Sequence, residues 1–180
     1  MARSRILSAT VTTGNSAGES GMTDKIDLIL GSALGAELTS EETSMLDDMM
    51  GSQKLADGDY LIKQGTTDGT LYVLLAGKLE VVRNTGAGET ASLAILRDGE
   101  LAGELSFIDG EPHTVALRAL CDCEVLSLAR KEFEKIIDTH PQLVYKVMRA
   151  IARSAHRIVH RMNHEFVELS NYIFKQHGRY

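Results

Sequence analysis

Leu101-Ala102-Gly103-Glu104-Leu105-Ser106-Phe107-Ile108-Asp109-Gly110-Glu111-Pro112-His113-Thr114 is the stretch on which the reading of this chain turns. Its pattern predicts a strand end, a Gly-Glu pair opening a short helical turn, a Gly and Pro break, and a new strand. The first backbone N–H groups of such a turn have no partner within it and attract an anion. A carboxylate placed there repels a bare phosphate but suits a sugar hydroxyl. The segment therefore reads as a pocket for a phosphate joined to a sugar.

The residues before and after it alternate with a period of two. Tyr60-Leu61-Ile62, Leu71 to Leu75, Lys78 to Val82, Ser92 to Leu96 and Val115 to Leu120 read as short strands. Turns fall between them at Asp57-Gly58, Asp68-Gly69, Ala76-Gly77, Gly86-Ala87-Gly88 and Asp98-Gly99. Many short strands separated by glycine turns indicate a barrel or jelly roll. The expected fold is mainly β, a β-roll with flanking helices.

The stretch from Gly103 to Thr114 resembles the phosphate-binding cassette of the cyclic nucleotide-binding domain family, which includes catabolite activators and protein kinase A regulatory subunits. Gln64-Gly65, Asp68-Gly69, Leu71-Tyr72-Val73-Leu74 and Gly77-Lys78-Leu79 extend the resemblance over roughly Leu46 to Phe166. It implies a cyclic nucleotide ligand, cAMP or cGMP, and a sensor that is not an enzyme. It implies that Gly103 allows close backbone approach, that Glu104 accepts from the ribose 2′-hydroxyl, that Leu105 and Ser106 offer backbone N–H groups, and that Thr114 touches the phosphate. The family's phosphate-binding arginine is replaced here by His113. Neutral histidine offers one donor and no charge, where arginine offers a charged fork. A charge-assisted hydrogen bond is worth about 1.5–3 kcal/mol, so its loss weakens binding roughly ten- to hundredfold. Weakened or altered cyclic nucleotide binding, a different small anion, and a ligand-free interaction module all stay open.

With 180 residues, 43% apolar content and a net charge of −6, the chain is ordinary for a globular protein. No run is long enough for a membrane span, and the acidic balance argues against a broad nucleic-acid footprint. Residues 1–23, with a Ser/Thr/Gly-rich stretch from Ser8 to Ser20, read as a disordered tail without a secretory signal. Residues 24–54 read as helices, with Asp24 capping one and Ser40 to Thr43 opening another. Met45, Leu46, Met49 and Met50 form a core-facing stripe there. Residues 55–129 make the β-roll. Cys121 and Cys123 suit strand positions in a reducing cytoplasm.

Residues 130–180 read as helical, broken by Pro141. Val144, Met148, Ile151, Ala155, Ile158, Met162, Glu165, Leu169 and Tyr172 describe a heptad seam that predicts a homodimer. Ala152, Val159, Phe166 and Ile173 widen the stripe and are expected on the barrel. Ile158 and Val159 are expected at the base end of the pocket. Arg149, Arg153, Arg157 and Arg161 make a ridge that pairs with carboxylates of the same protein or docks an acidic partner. His156, His160 and His164 form a solvated face, or in a third reading a metal sensor; no metal site is expected. The resembling activators continue into a helix-turn-helix reader. None is expected before Tyr180, so DNA binding is not expected.

Overall fold

In the computed structural model, residues 25–86 and 89–177 are described; the expectations for the tail, the Asp24 cap and the Ala87-Gly88 turn lie outside them. The chain runs through helix α1 (25–30), a 3₁₀ turn Gly35–Glu37, α2 (Ser40–Asp47), β1 (Met50–Leu55), β2 (Tyr60–Ile62), β3 (Thr70–Ala76), β4 (Leu79–Gly86), β5 (Glu89–Leu96), β6 (Leu101–Ala102), α3 (Glu104–Asp109), β7 (Ala116–Ala119), β8 (Cys123–Ala129), α4 (Arg130–Glu134) and α5 (Pro141–His177). All strand pairs are antiparallel. They form two four-stranded sheets, ordered β1-β8-β3-β6 and β2-β7-β4-β5.

Two cores follow from the alternation of strand side chains. Between the sheets lie Leu55, Ile62, Tyr72, Leu74, Leu79, Leu96, Leu117 and Val125. On the other face of the first sheet, Leu71, Val73, Leu75, Leu126 and Leu128 pack against Ile29, Leu34, Leu46, Phe107, Phe133, Leu143, Val147 and Ile151 from the helices. Strand β3 sends alternate residues into both cores, which is why its sequence is a continuous apolar run.

Helix α2 starts at Ser40, as expected. Its cap is Thr39, whose Oγ1 accepts from Glu42 N at 3.2 Å while Glu42 Oε2 accepts from Thr39 N at 2.8 Å, a reciprocal capping box. Lys146 Nζ on α5 donates to both Glu42 carboxylate oxygens at 2.7 Å. That bond, followed by the one from Thr39 N, holds the Glu42 carboxyl below its usual range.

Three expectations are corrected. The segment expected to be helical through Lys54 turns into strand at Met50, which pairs with Leu128. Only Met50 and Leu55 of β1 are buried, so this edge strand has no alternating signature. Ile151, assigned to a dimer seam, is fully buried in its own chain's core. Ala152, Val159, Phe166 and Ile173 are exposed, and the α5 face on the barrel is instead Leu143, Val147, Ala150, Ile151 and Ser154. The second half of this helix, about 55 Å long by its residue count, leaves Met162 and Phe166 60% and 69% exposed.

Candidate ligand-binding site

The expected strand-turn-helix-break-strand succession is present: β6, Gly103, α3, Gly110, an irregular stretch, then β7. Gly103 has φ +79°, and a Cβ there would lie 2.4 Å from the Thr70 carbonyl oxygen. Only glycine lets β6 turn into α3 this tightly against β3. Glu104 follows as the first residue of α3 and is buried.

An ionised carboxylate is buried only with donors around it. Here Ser154 Oγ, from the buried face of α5, donates to Glu104 Oε1 at 2.8 Å. Helix α5 thus reaches the cassette through one hydroxyl. Leu105 is 64% exposed, and its side chain plays no part in the core. Ser106 is buried, and its Oγ has no hydrogen-bond partner. An orphaned buried hydroxyl costs about 1–3 kcal/mol. Thr114 is exposed in the turn leading to β7.

His113 is buried, and its backbone is pinned on both sides: its N–H donates to Thr66 O and its carbonyl accepts from Gly65 N, each at 2.8 Å. Its Nε2 lies 3.0 Å from Asp68 Oδ1. A carboxylate only accepts, so Nε2 carries a proton. Asp68 is itself held: Oδ1 accepts from Thr70 N at 3.1 Å, and Oδ2 from the Tyr72 hydroxyl at 2.9 Å. Burial, then the bond to Asp68, pushes the Tyr72 phenol up to about 12. In the neutral ring the one N–H is therefore spent on Asp68, and the remaining nitrogen Nδ1 presents a lone pair. No ring N–H is then left for a further acceptor.

The structure therefore brings Gly103, Glu104, Leu105 and Ser106 together on one turn and binds His113 to Asp68. Asp68, Tyr72 and Ser154 are the partners that sequence reasoning missed. Asp68 read only as a turn residue, Tyr72 as a core strand residue, and Ser154 as one serine on a long helix.

Beyond Ser154, α5 and the segment joining β5 to β6 border a cleft of about 140 Å³ lined in part by Leu96, Leu101, Ser154, Arg157 and Ile158. Ile158 lines this cleft, whereas Val159 is 54% exposed. A larger hollow of about 260 Å³, bordered by Tyr60, Lys63 and Asn84, shares no residue with the cassette. The arginine ridge divides: Arg149 and Arg153 both pair with Glu37, the first at 3.3 Å. His164 Nδ1 lies 3.6 Å from Glu168 Oε1, an acidic neighbour not expected for the histidine face. Among the described residues no group of three metal-ligating side chains converges, and no helix is long and apolar enough to cross a membrane.

Residues 52–140 match the family model described as "Cyclic nucleotide-binding domain". The N-terminal domain of a transcriptional regulator from Streptomyces coelicolor is 30% identical, with a TM-score of 0.65, covering 76% of this chain and 95% of that one. A cyclic nucleotide-binding domain from Methylobacillus flagellatus superposes with a TM-score of 0.74 at 18% identity, covering 84% and 85%. Among curated proteins, patatin-like phospholipase domain-containing protein 7 of Rattus norvegicus is 29% identical over 147 residues, 81% of this chain. The match takes in about 10% of that protein's length.

Proposed function

This chain belongs to the cyclic nucleotide-binding domain family, and from that premise we propose that it is a non-catalytic regulatory sensor whose cassette takes a ribose-bearing ligand of the cyclic nucleotide type. One observation carries this reading: the buried Glu104 carboxylate on the first turn of α3, held by Ser154 from α5. A carboxylate desolvated there, with one oxygen already engaged, is a strong acceptor for a sugar hydroxyl pair. Backbone N–H groups of Leu105 and Ser106 and the Thr114 hydroxyl serve the phosphate. Because Ser154 ties Glu104 to α5, an occupied cassette bears directly on the long helix. Its exposed apolar half is the surface through which a dimer forms and a signal leaves.

His113 sets the strength of that binding. With its donor on Asp68, the cyclic phosphate has no arginine fork to meet, and affinity falls below that of an arginine-bearing cassette by about ten- to hundredfold. The same pairing favours a second reading, a ligand-free interaction module. Two cysteines without a disulfide, Cys121 and Cys123, suit a cytoplasmic protein.

Thermal unfolding of the purified protein with cAMP and with cGMP separates the two readings. A ligand present at a hundred times its Kd stabilises the folded state by about 2.7 kcal/mol, a shift of several degrees for a domain of this size. No shift with millimolar cAMP or cGMP favours the ligand-free module.

A further inference from the structure

The four ridge arginines are spaced alike in sequence and differ in structure. Arg149 and Arg153 are neutralised by Glu37. Arg157 and Arg161, the next two turns, line the cleft beside Ser154, and neither has an ion pair among the described residues. Glu100 lines the same cleft, and one of its oxygens, Oε2, accepts from the Arg97 backbone N–H at 2.7 Å. Two guanidinium groups against one carboxylate leave the lining with a net positive charge.

We infer that Arg157 and Arg161 form a second anion site, one that takes a phosphate or diphosphate group at the α5 end of the cleft. Arginine is the side chain best fitted to phosphate, because its planar fork donates two hydrogen bonds to two oxygens. Residues four apart on a helix lie on one face about 6 Å apart, so both forks reach a single diphosphate. The cleft volume, about 140 Å³, is well below the ~300 Å³ at which drug-sized ligand pockets begin. It admits a phosphate or diphosphate group, and not a whole nucleotide. Leu96, Leu101 and Ile158 supply apolar walls, which strengthen a charge pair relative to open water.

The site adjoins the cassette through Ser154, one helical turn before Arg157, whose hydroxyl holds Glu104. The two ends of this region therefore differ in charge. At the cassette stand the carboxylates Glu104 and Asp68, and the donor of His113 is engaged on Asp68. At the α5 end, two arginines are uncompensated. A sugar at Glu104 with a phosphate group directed toward α5 meets both ends, and a nucleoside 5′-diphosphate has that composition. The anion site itself stands whether or not the cassette binds a cyclic nucleotide.

Titration calorimetry with pyrophosphate at ~150 mM salt, where exposed charges are largely screened, tests the inference. Saturable binding to the unaltered protein is expected. In Arg157→Ala/Arg161→Ala it should weaken at least tenfold, and in Arg157→Lys/Arg161→Lys it should recover in part, because charge returns without the fork. Both arginines are solvent-accessible, so circular dichroism is expected to show both arginine double variants folded. ADP should bind more tightly than pyrophosphate, and Glu104→Ala should remove that advantage while pyrophosphate binding persists. Equal pyrophosphate affinity in the double alanine variant, or none in the unaltered protein, overturns the site. Loss of cAMP and cGMP binding with pyrophosphate binding retained would instead strike only the cassette.

Discussion

The Ser154 hydroxyl donates to Glu104 Oε1 across 2.8 Å, a bond between the long C-terminal helix and the first residue of the cassette turn. Both groups are buried. It gives α5 a chemical stake in the state of the site, beyond the apolar packing of Leu143, Val147 and Ile151.

Removing the hydroxyl tests that bond. Ser154→Ala takes a donor from a buried carboxylate, a change that costs about 1–3 kcal/mol. For a domain of this size the melting temperature should fall by roughly 2–4 °C per kcal/mol. Any ligand held through Glu104 should weaken in parallel. A variant with unaltered melting and unaltered ligand response would show the bond to be incidental.

Two glycines with nearly the same backbone offer a matched pair. Gly103 and Gly65 have φ of +79° and +82°, but a Cβ on Gly65 meets nothing within 4 Å, whereas one on Gly103 lies 2.4 Å from the Thr70 oxygen. Gly65→Ala should cost only the left-handed backbone term, about 1 kcal/mol. Gly103→Ala adds a backbone clash and should cost clearly more, measured by urea unfolding. Equal losses would mean that close approach to β3 plays no part in selecting glycine there.

The Tyr72 phenol is pushed up to about 12 by burial and by Asp68. Its folded value lies above the ordinary value of 10, so the native state holds the proton more tightly than the unfolded chain. That stability is fully present below pH 10 and is lost as pH rises from about 10 to about 12. Absorbance titration at ~295 nm should show one late-ionising tyrosine that vanishes in Tyr72→Phe. Stability of Tyr72→Phe should fall less steeply over the same range.

The two halves of α5 should respond differently to the same substitution. Ile151 is fully buried in its own chain, whereas Met162 and Phe166 are exposed. Ile151→Asp should unfold the domain. Met162→Asp/Phe166→Asp should leave it folded but convert a dimer to a monomer in sedimentation. If the unaltered protein sediments as a monomer at micromolar concentration, the exposed face is not a self-association surface.

Much of this was legible in the sequence because it depends on local chemistry. The order of strand end, Gly103, short helix, Gly110 and strand follows from glycine and proline positions alone. The apolar run of β3 is visible because both of its faces are buried. What could not be read depends on long-range neighbours. Strand β1 is buried only at Met50 and Leu55, so neither a period of two nor of 3.6 marks it. The heptad spacing of α5 is silent on what covers it, and Ile151 lies in the chain's own core. Asp68 lies 45 residues from His113, and Ser154 lies 50 from Glu104. No spacing rule joins them. Thus the order of elements around Gly103 could be read, while the partners of Glu104 and His113 could not.

On the proposed function, the cassette binds a cyclic nucleotide and His113, tied to Asp68, limits how strongly. Titration calorimetry of cAMP and cGMP into the unaltered protein, His113→Arg and His113→Arg/Glu104→Ala tests it most directly. Weak binding to the first is expected, with binding at least tenfold tighter to the second and loss of most of that gain in the third. Absence of binding to His113→Arg, in a protein shown to be folded, would contradict it and leave the ligand-free module as the reading that survives.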